Sequence, residues 1–236
     1  MRACVIVLAV ALSLSALHPV SGRAGTDPIG SRQLVIGRSV DGRRIVATET
    51  GDFDARVRIL VVGCIHGNES AGIAVADRLA GSSPMEVDLW VVPDLNPDGV
   101  AADTRGNADG VDLNRNFPWR WRPLHGLFYS GQKALSEPES RVGAALVRQV
   151  RPRISIWFHQ HMDLVDRSGG DVAIERRFAS LVRLPLVRLA REPGSVVGWE
   201  NHTLPGSTAF VVELPAGRLG RSAVRRYYDA VVALAQ

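Results

Sequence analysis

The feature that most constrains this chain is a repeated alternation of short apolar runs with helical patterns. "RVRILVV" (56–62) is apolar and β-branched, the composition of a buried strand. "SAGIAVADRLAG" (70–81) follows it with helical periodicity. The same reading predicts strands at 57–63, 87–93, 153–158 and 208–214, and helices at 70–80, 137–150, 172–182 and 221–235. Such alternation implies an α/β fold, with a mixed, mostly parallel central sheet flanked by helices. "QLVIGRSVDGRRIVATET" (33–50) alternates around Asp41-Gly42, a two-residue hairpin signal that adds antiparallel strands at one edge. "SEPES" (136–140) reads as a helix start, with Ser136 as cap and Pro138 in the first turn.

The 236 residues, 46% apolar, suit one domain with a sizeable core. The net charge of +4 rests on arginine, because Lys133 is the only lysine, and no dense basic run marks a nucleic-acid partner. Residues 1–22 read as a signal peptide: Arg2, an apolar run from Ala3 to Leu17, then small Ser21 and Gly22. That run is about the minimum length for a membrane span. The expectation is therefore a secreted, periplasmic or cell-envelope protein with no stable membrane insertion after cleavage. Residues 23–32 read as a linker and 33–236 as the folded domain. Cys4 would leave with the signal and Cys64 would remain alone, so no internal disulfide is expected.

Between Pro93 and Pro138 the alternation lapses into a stretch rich in Asn, Asp, Gly, Pro and Trp. A long irregular segment inside a domain is usually functional. It should lie over the carboxyl ends of the strands, where open α/β sheets bind ligands. "GCIHGNES" (63–70) sits at one such end and holds His66 and Glu69, potential metal ligands three residues apart. A hydrolytic zinc site needs a third protein ligand and an open position. "RISIWFHQHMD" (153–163) offers His159 at a second strand end, with His161 as competitor two residues on. "STAFVVELP" (207–215) places Glu213 near the end of an apolar strand. A carboxylate there is costly unless paired or functional. It is either an ion-pair partner of an arginine or a general base. Cys64 reads as a small packed residue, with a ligand role open through its nearness to His66.

Six segments in order then carry a resemblance: "HGNE" (66–69), "NPDG" (96–99), "TRGNADGVDLNRNFP" (104–118), "YSGQKALSEPES" (129–140), "SIWFHQ" (155–160) and "FVVELP" (210–215). The chain resembles zinc metallocarboxypeptidases of the carboxypeptidase A type, most of all the small bacterial forms that include murein tripeptide amidases. The resemblance implies one zinc per chain held by His66, Glu69 and His159. It implies that Asp112 hydrogen-bonds the first ligand histidine, and that Asn114 and Arg115 grip the substrate's terminal carboxylate. Arg105 would stabilise the oxyanion, and Glu213 would act as general base.

The implied activity is release of a C-terminal residue from a peptide, or from a cell-wall peptide, that carries a free carboxylate. The alternatives are a murein tripeptide (γ-D-glutamyl-diaminopimelate) amidase, an aspartoacylase-type deacylase and a non-catalytic binding module. Two departures bear on specificity. Leu189 takes roughly the place of the larger members' mobile tyrosine, before Gly194-Ser195. The segment "PGSVVGWENHTLPGS" (193–207) shows no unambiguous charge for a pocket base.

Overall fold

The computed structural model describes residues 29–236. The expected signal peptide, and the linker as far as residue 28, lie outside the described residues. Strand β1 (Ile29–Arg38) begins inside the expected linker 23–32 and corrects that boundary. Its residues are mostly exposed, with Leu34 and Ile36 partly buried against the core, so the alternation starts only within the strand and its first residues carried no signal. It pairs antiparallel with β2 (Arg44–Asp52) around the Asp41-Gly42 turn, where Gly42 has φ +82°. Gly supplies that positive φ without steric cost.

The remaining strands are β3 (Arg58–Val62), β4 (Asp88–Val92), β5 (Ile154–Gln160), β6 (Leu164–Asp166), β7 (Leu186–Val187) and β8 (Thr208–Leu214). The helices are α1 (Ala71–Ala80), α2 (Pro97–Ala102), α3 (Pro138–Val150), α4 (Val172–Val182), α5 (Val196–Thr203) and α6 (Arg221–Ala233). One eight-stranded sheet has the order β1-β2-β4-β3-β5-β8-β6-β7. Its centre, β4-β3-β5-β8, is parallel, while β2 joins β4 and β6 joins β8 antiparallel. The four elements absent from the sequence reading, α2, α5, β6 and β7, are short, and short segments give periodicity too few residues to register. Helix α3 starts at Pro138 with Glu137 as its N-cap, one residue later than the Ser136 expectation. Ser136 instead donates its hydroxyl to Glu137 (2.6 Å) and accepts from Asn116 (2.9 Å).

The sheet separates two cores. Ile59, Val61, Ile156 and Phe158 face one way, against residues of α1, α4 and α6. Leu60, Val62 and Trp157 face the other, against residues of α3 and α5. Strands buried on both faces read as continuous apolar runs, which is why they were legible. The order also places the site. From β3 the chain winds through α1 to β4 on one side, then through α3 to β5 on the other. The crevice between the carboxyl ends of β3 and β5 is therefore a topological switch point, where open α/β sheets take ligands.

Candidate active site

His66 and Glu69 stand on the turn that leaves β3, and that turn is held by close backbone packing. A Cβ on Gly67 would lie 1.9 Å from the carbonyl carbon of Gly99 in α2, so only glycine permits the approach. Asn96 locks the same junction. Its Oδ1 accepts from Gly99 N at 3.0 Å, and its Nδ2 donates to Ile65 O at 3.1 Å and to Gly106 O at 3.2 Å. The glycines of "HGNE" and "NPDG" are thus two sides of one contact.

His159 ends β5 on the same crevice. Its Nδ1 is 3.1 Å from His66 Nδ1 and 2.9 Å from Glu69 Oε2, and His66 Nδ1 is 3.0 Å from the same Oε2. Three donor atoms with mutual separations near 3 Å leave a point about 2 Å from each, the bond length zinc takes to nitrogen and oxygen. Two imidazoles and one carboxylate, converging from two strand ends, are a donor set that fits zinc. Among the described residues, this is the one group of three or more His, Cys, Asp or Glu side chains close enough to share an ion. His161 lines the cleft but stands outside the group. Cys64 is buried, its Sγ contacts His66 O at 3.1 Å, and burial pushes its thiol well above the ordinary range.

Asp112 is fully buried and its Oδ1 lies 2.9 Å from His66 Nε2. A carboxylate there accepts a hydrogen bond from Nε2–H, which fixes the proton on Nε2 and leaves Nδ1 with the free lone pair. Arg105 donates Nε to Asp112 Oδ2 and Nη1 to Glu69 Oε1, both at 2.9 Å. Burial penalises the charged forms of Glu69 and Asp112. Their partners outweigh it: His159 and His66 for Glu69, His66 and Arg105 for Asp112, so both carboxyls stay well below the usual range. Gln160 donates its backbone N–H to Glu69 Oε2 at 3.2 Å and adds to that hold.

Glu213 lies in β8 directly beside His159 in the parallel register, on the same crevice. Burial raises its pKa, and its Oε2 is a buried oxygen without a hydrogen-bond partner among the described residues. No arginine pairs with it there, against the ion-pair reading. Asn114 and Arg115 follow Asp112 in a short 3-10 turn, both buried. Asn114 Oδ1 accepts from Val196 N at 2.9 Å, which ties the turn to the start of α5. Arg115 Nη1 donates to Asn114 O at 2.9 Å, while its buried Nε has no hydrogen-bond partner. Gly194, at φ +71°, packs where a Cβ would lie 2.1 Å from Arg115 O. The Gly-Ser step is thus fixed by the backbone of the arginine beside it.

These groups line one cleft of about 530 Å³. Besides Leu189, its walls contain residues the sequence did not single out. Asp166 is buried and holds the far wall together, accepting from Leu189 N (2.9 Å), Ser168 Oγ (2.6 Å) and Arg191 Nη1 (2.8 Å). Glu192 Oε2 sits 3.9 Å from Arg115 Nε, and Leu189 lines the cleft. The half-exposed Phe128 places its ring centroid 5.5 Å from the Arg105 guanidinium carbon and 5.3 Å from that of Arg115. An exposed aromatic in an irregular loop carries no sequence signal, because only the folded loop brings it to the arginines.

A His–Glu–His donor set, a half-buried carboxylate with an unpartnered oxygen and an arginine whose Nε has no hydrogen-bond partner, gathered at the switch point of the parallel strands, define a zinc-dependent hydrolase class. A family model described as zinc carboxypeptidase matches residues 22–171. The chain belongs to that zinc carboxypeptidase family. It is 31% identical over 218 residues to murein peptide amidase A of Vibrio campbellii, covering 83% of this chain and 86% of that protein. The fold is similar to the crystal structure of murein-tripeptide amidase from Escherichia coli O157, with TM-score 0.67 and 24% identity over 86% of this chain and 91% of that one. It is also similar to carboxypeptidase A from Helicoverpa armigera, with TM-score 0.74 and 18% identity over 88% of this chain and 68% of that one.

Proposed function

We propose that this peptidase hydrolyses an amide bond lying next to a free carboxylate, releasing the carboxyl-terminal residue of a peptide. The observation that carries the reading is Arg115, a buried guanidinium whose Nε has no hydrogen-bond partner, in the same cleft as the His66–Glu69–His159 group. A planar guanidinium grips a carboxylate through parallel charge-assisted hydrogen bonds. Asn114 shares that task. Zinc, held by His66, Glu69 and His159, would supply a Lewis acid and a water of lowered pKa. Glu213 takes the water's proton and later returns it to the leaving amine; its partnerless Oε2 and its place beside His159 suit that role. Arg105, braced on Glu69 and Asp112, offers its remaining N–H groups to charge that develops on the scissile carbonyl. Asp112 keeps His66 in the tautomer that frees Nδ1.

A second reading concerns the substrate. The 31% identical murein peptide amidase spans most of the chain, and this favours a cell-wall peptide, with cleavage of a γ-D-glutamyl-diaminopimelate bond. Export on the 1–22 signal belongs to the same proposal and brings the enzyme to wall or external peptides. One experiment separates the readings: the zinc-loaded enzyme is given ordinary peptides, their C-terminally amidated forms and wall tripeptide, and products are identified by mass spectrometry. Cleavage of free-acid peptides only supports the carboxypeptidase. Cleavage of wall tripeptide alone supports the amidase. Amidated and free-acid substrates cut equally well would remove the role given to Arg115.

A further inference from the structure

At the opposite end of the sheet from the cleft, four arginines converge. Arg56 and Arg58 lead into β3, and Arg151 and Arg153 lead into β5. These strands are parallel neighbours with Ile59 beside Ile154, and Arg153 N donates to Arg58 O at 2.9 Å. In such a register, side chains at matching positions share a face, so the strand pairing itself brings the charges together. All four arginines are exposed, and with Gly206 and Ser207 of the loop before β8 they line one concavity of about 210 Å³. No acidic residue lines it. Among the described residues, one carboxylate answers the four: Asp88 accepts from Arg58 Nε at 3.1 Å. Arg153 Nη1 is bound to Gly206 O at 2.6 Å, while Arg56 and Arg151 have no side-chain hydrogen bond to another described residue.

We propose that this concavity is a binding site for a phosphate group. Like charges side by side across strands destabilise a sheet, and a multiply charged anion between them reverses the sign of that interaction. One guanidinium fork already saturates the two oxygens of a carboxylate, whereas phosphate offers three or four oxygens to several forks. The concavity, about 210 Å³, has room for a tetrahedral anion with a substituent. No aromatic lines it, so the stacking that single-stranded nucleic acid requires is missing. The site is independent of the peptidase reading, because it lies at the amino ends of the strands whose carboxyl ends form the cleft. Its phosphate comes either from a free anion or from the headgroup of an anionic lipid surface.

Inorganic phosphate, titrated into the zinc-loaded protein at constant ionic strength, is followed through the arginine Nε–H resonances. We expect saturable shifts at Arg56, Arg151 and Arg153. In an Arg56→Gln/Arg151→Gln variant we expect affinity weaker by about tenfold or more, with peptide hydrolysis unchanged. Sedimentation with phosphatidylglycerol vesicles, against phosphatidylcholine, assigns the source: binding lost in the variant points to a lipid surface, and phosphate binding without sedimentation points to the free anion. Shifts confined to Arg105 and Arg115, equal affinity in the variant, or no binding of either probe overturns the site.

Discussion

Two carboxylates on one face of the sheet, Glu213 half-buried and Glu200 fully buried, are set to different tasks by their neighbours. Glu213 opens on the cleft with one oxygen unpartnered, and its proposed role is that of general base. Glu213→Gln should therefore keep its zinc and its melting temperature while turnover falls by about 10²–10⁴-fold, the range for losing a general base. Zinc analysis, thermal melting and single-turnover kinetics on one preparation check this; a folded, zinc-loaded variant with wild-type turnover would end the mechanism. Glu200 is the opposite case. It is fully buried in α5, accepts from the Ser155 hydroxyl and from Trp157 Nε1 (3.3 Å), and burial pushes its pKa from 4.5 up to about 7. The folded state holds this proton more tightly than the unfolded chain. Its contribution is therefore complete below pH ~4.5 and is lost as pH rises through about 7. A shift of that size corresponds to roughly 3 kcal/mol as an upper figure. Glu200→Gln should flatten the stability–pH curve over that window and be the more stable protein at pH 8. Denaturant melts at pH 5 and pH 8 test it, and parallel curves for the two proteins refute it.

At the scale of elements, the ligand turn depends on the backbone contact between Gly67 and Gly99. A methyl at Gly67 meets main-chain atoms at 1.9–2.3 Å, and no side-chain rotation relieves that. Gly67→Ala should cost more than about 2 kcal/mol, the range of severe backbone and overpacking changes, and should also lower zinc affinity. Gly110→Ala is the control, because no atom lies within 4 Å of a Cβ there although its φ of +71° carries some strain. Equal melting temperatures and zinc contents in the two variants would show that the turn tolerates separation from α2. The same contact explains why "HGNE" and "NPDG", with 26 residues between them and far weaker as separate motifs, belong to one site.

For the whole molecule, the metal group bridges separate parts of the chain. His66 and Glu69 follow β3, and His159 ends β5 after the excursion through β4 and α3. An ion bound only by the folded state stabilises it by mass action, about 4 kcal/mol when free metal is a thousandfold above its dissociation constant. Complete chelation should abolish hydrolysis and lower the melting temperature, and zinc should restore both at one ion per chain. His159→Ala should remove the zinc-dependent part of the melting shift, whereas His161→Ala should leave it. A shift lost with His161 and kept without His159 would reassign the third ligand.

Much of this protein is legible in the amino-acid order, for a local reason. The central strands lie within a few residues of their predicted limits, because a strand buried on both faces must be apolar throughout. The hairpin was legible through Asp41-Gly42, but its connection is residues 39–43 rather than two residues, with Gly42 alone at positive φ. His66, Glu69 and His159 stood out in the sequence as candidate ligands at predicted strand ends, and Glu213 as a costly carboxylate in an apolar strand; folding gathers the donor atoms of the first three within 4.8 Å of one another. Tertiary structure decided what no local pattern encodes. Strand order puts β3 beside β5 and makes the crevice a switch point. Register sets Glu213 beside His159. Loop packing brings Arg105 onto both Glu69 and Asp112, stacks Phe128 on two arginines and fastens Leu189 and Arg191 to Asp166. Each of these contacts joins residues whose own neighbours in sequence say nothing about the partner, so long-range packing, rather than local propensity, selects them.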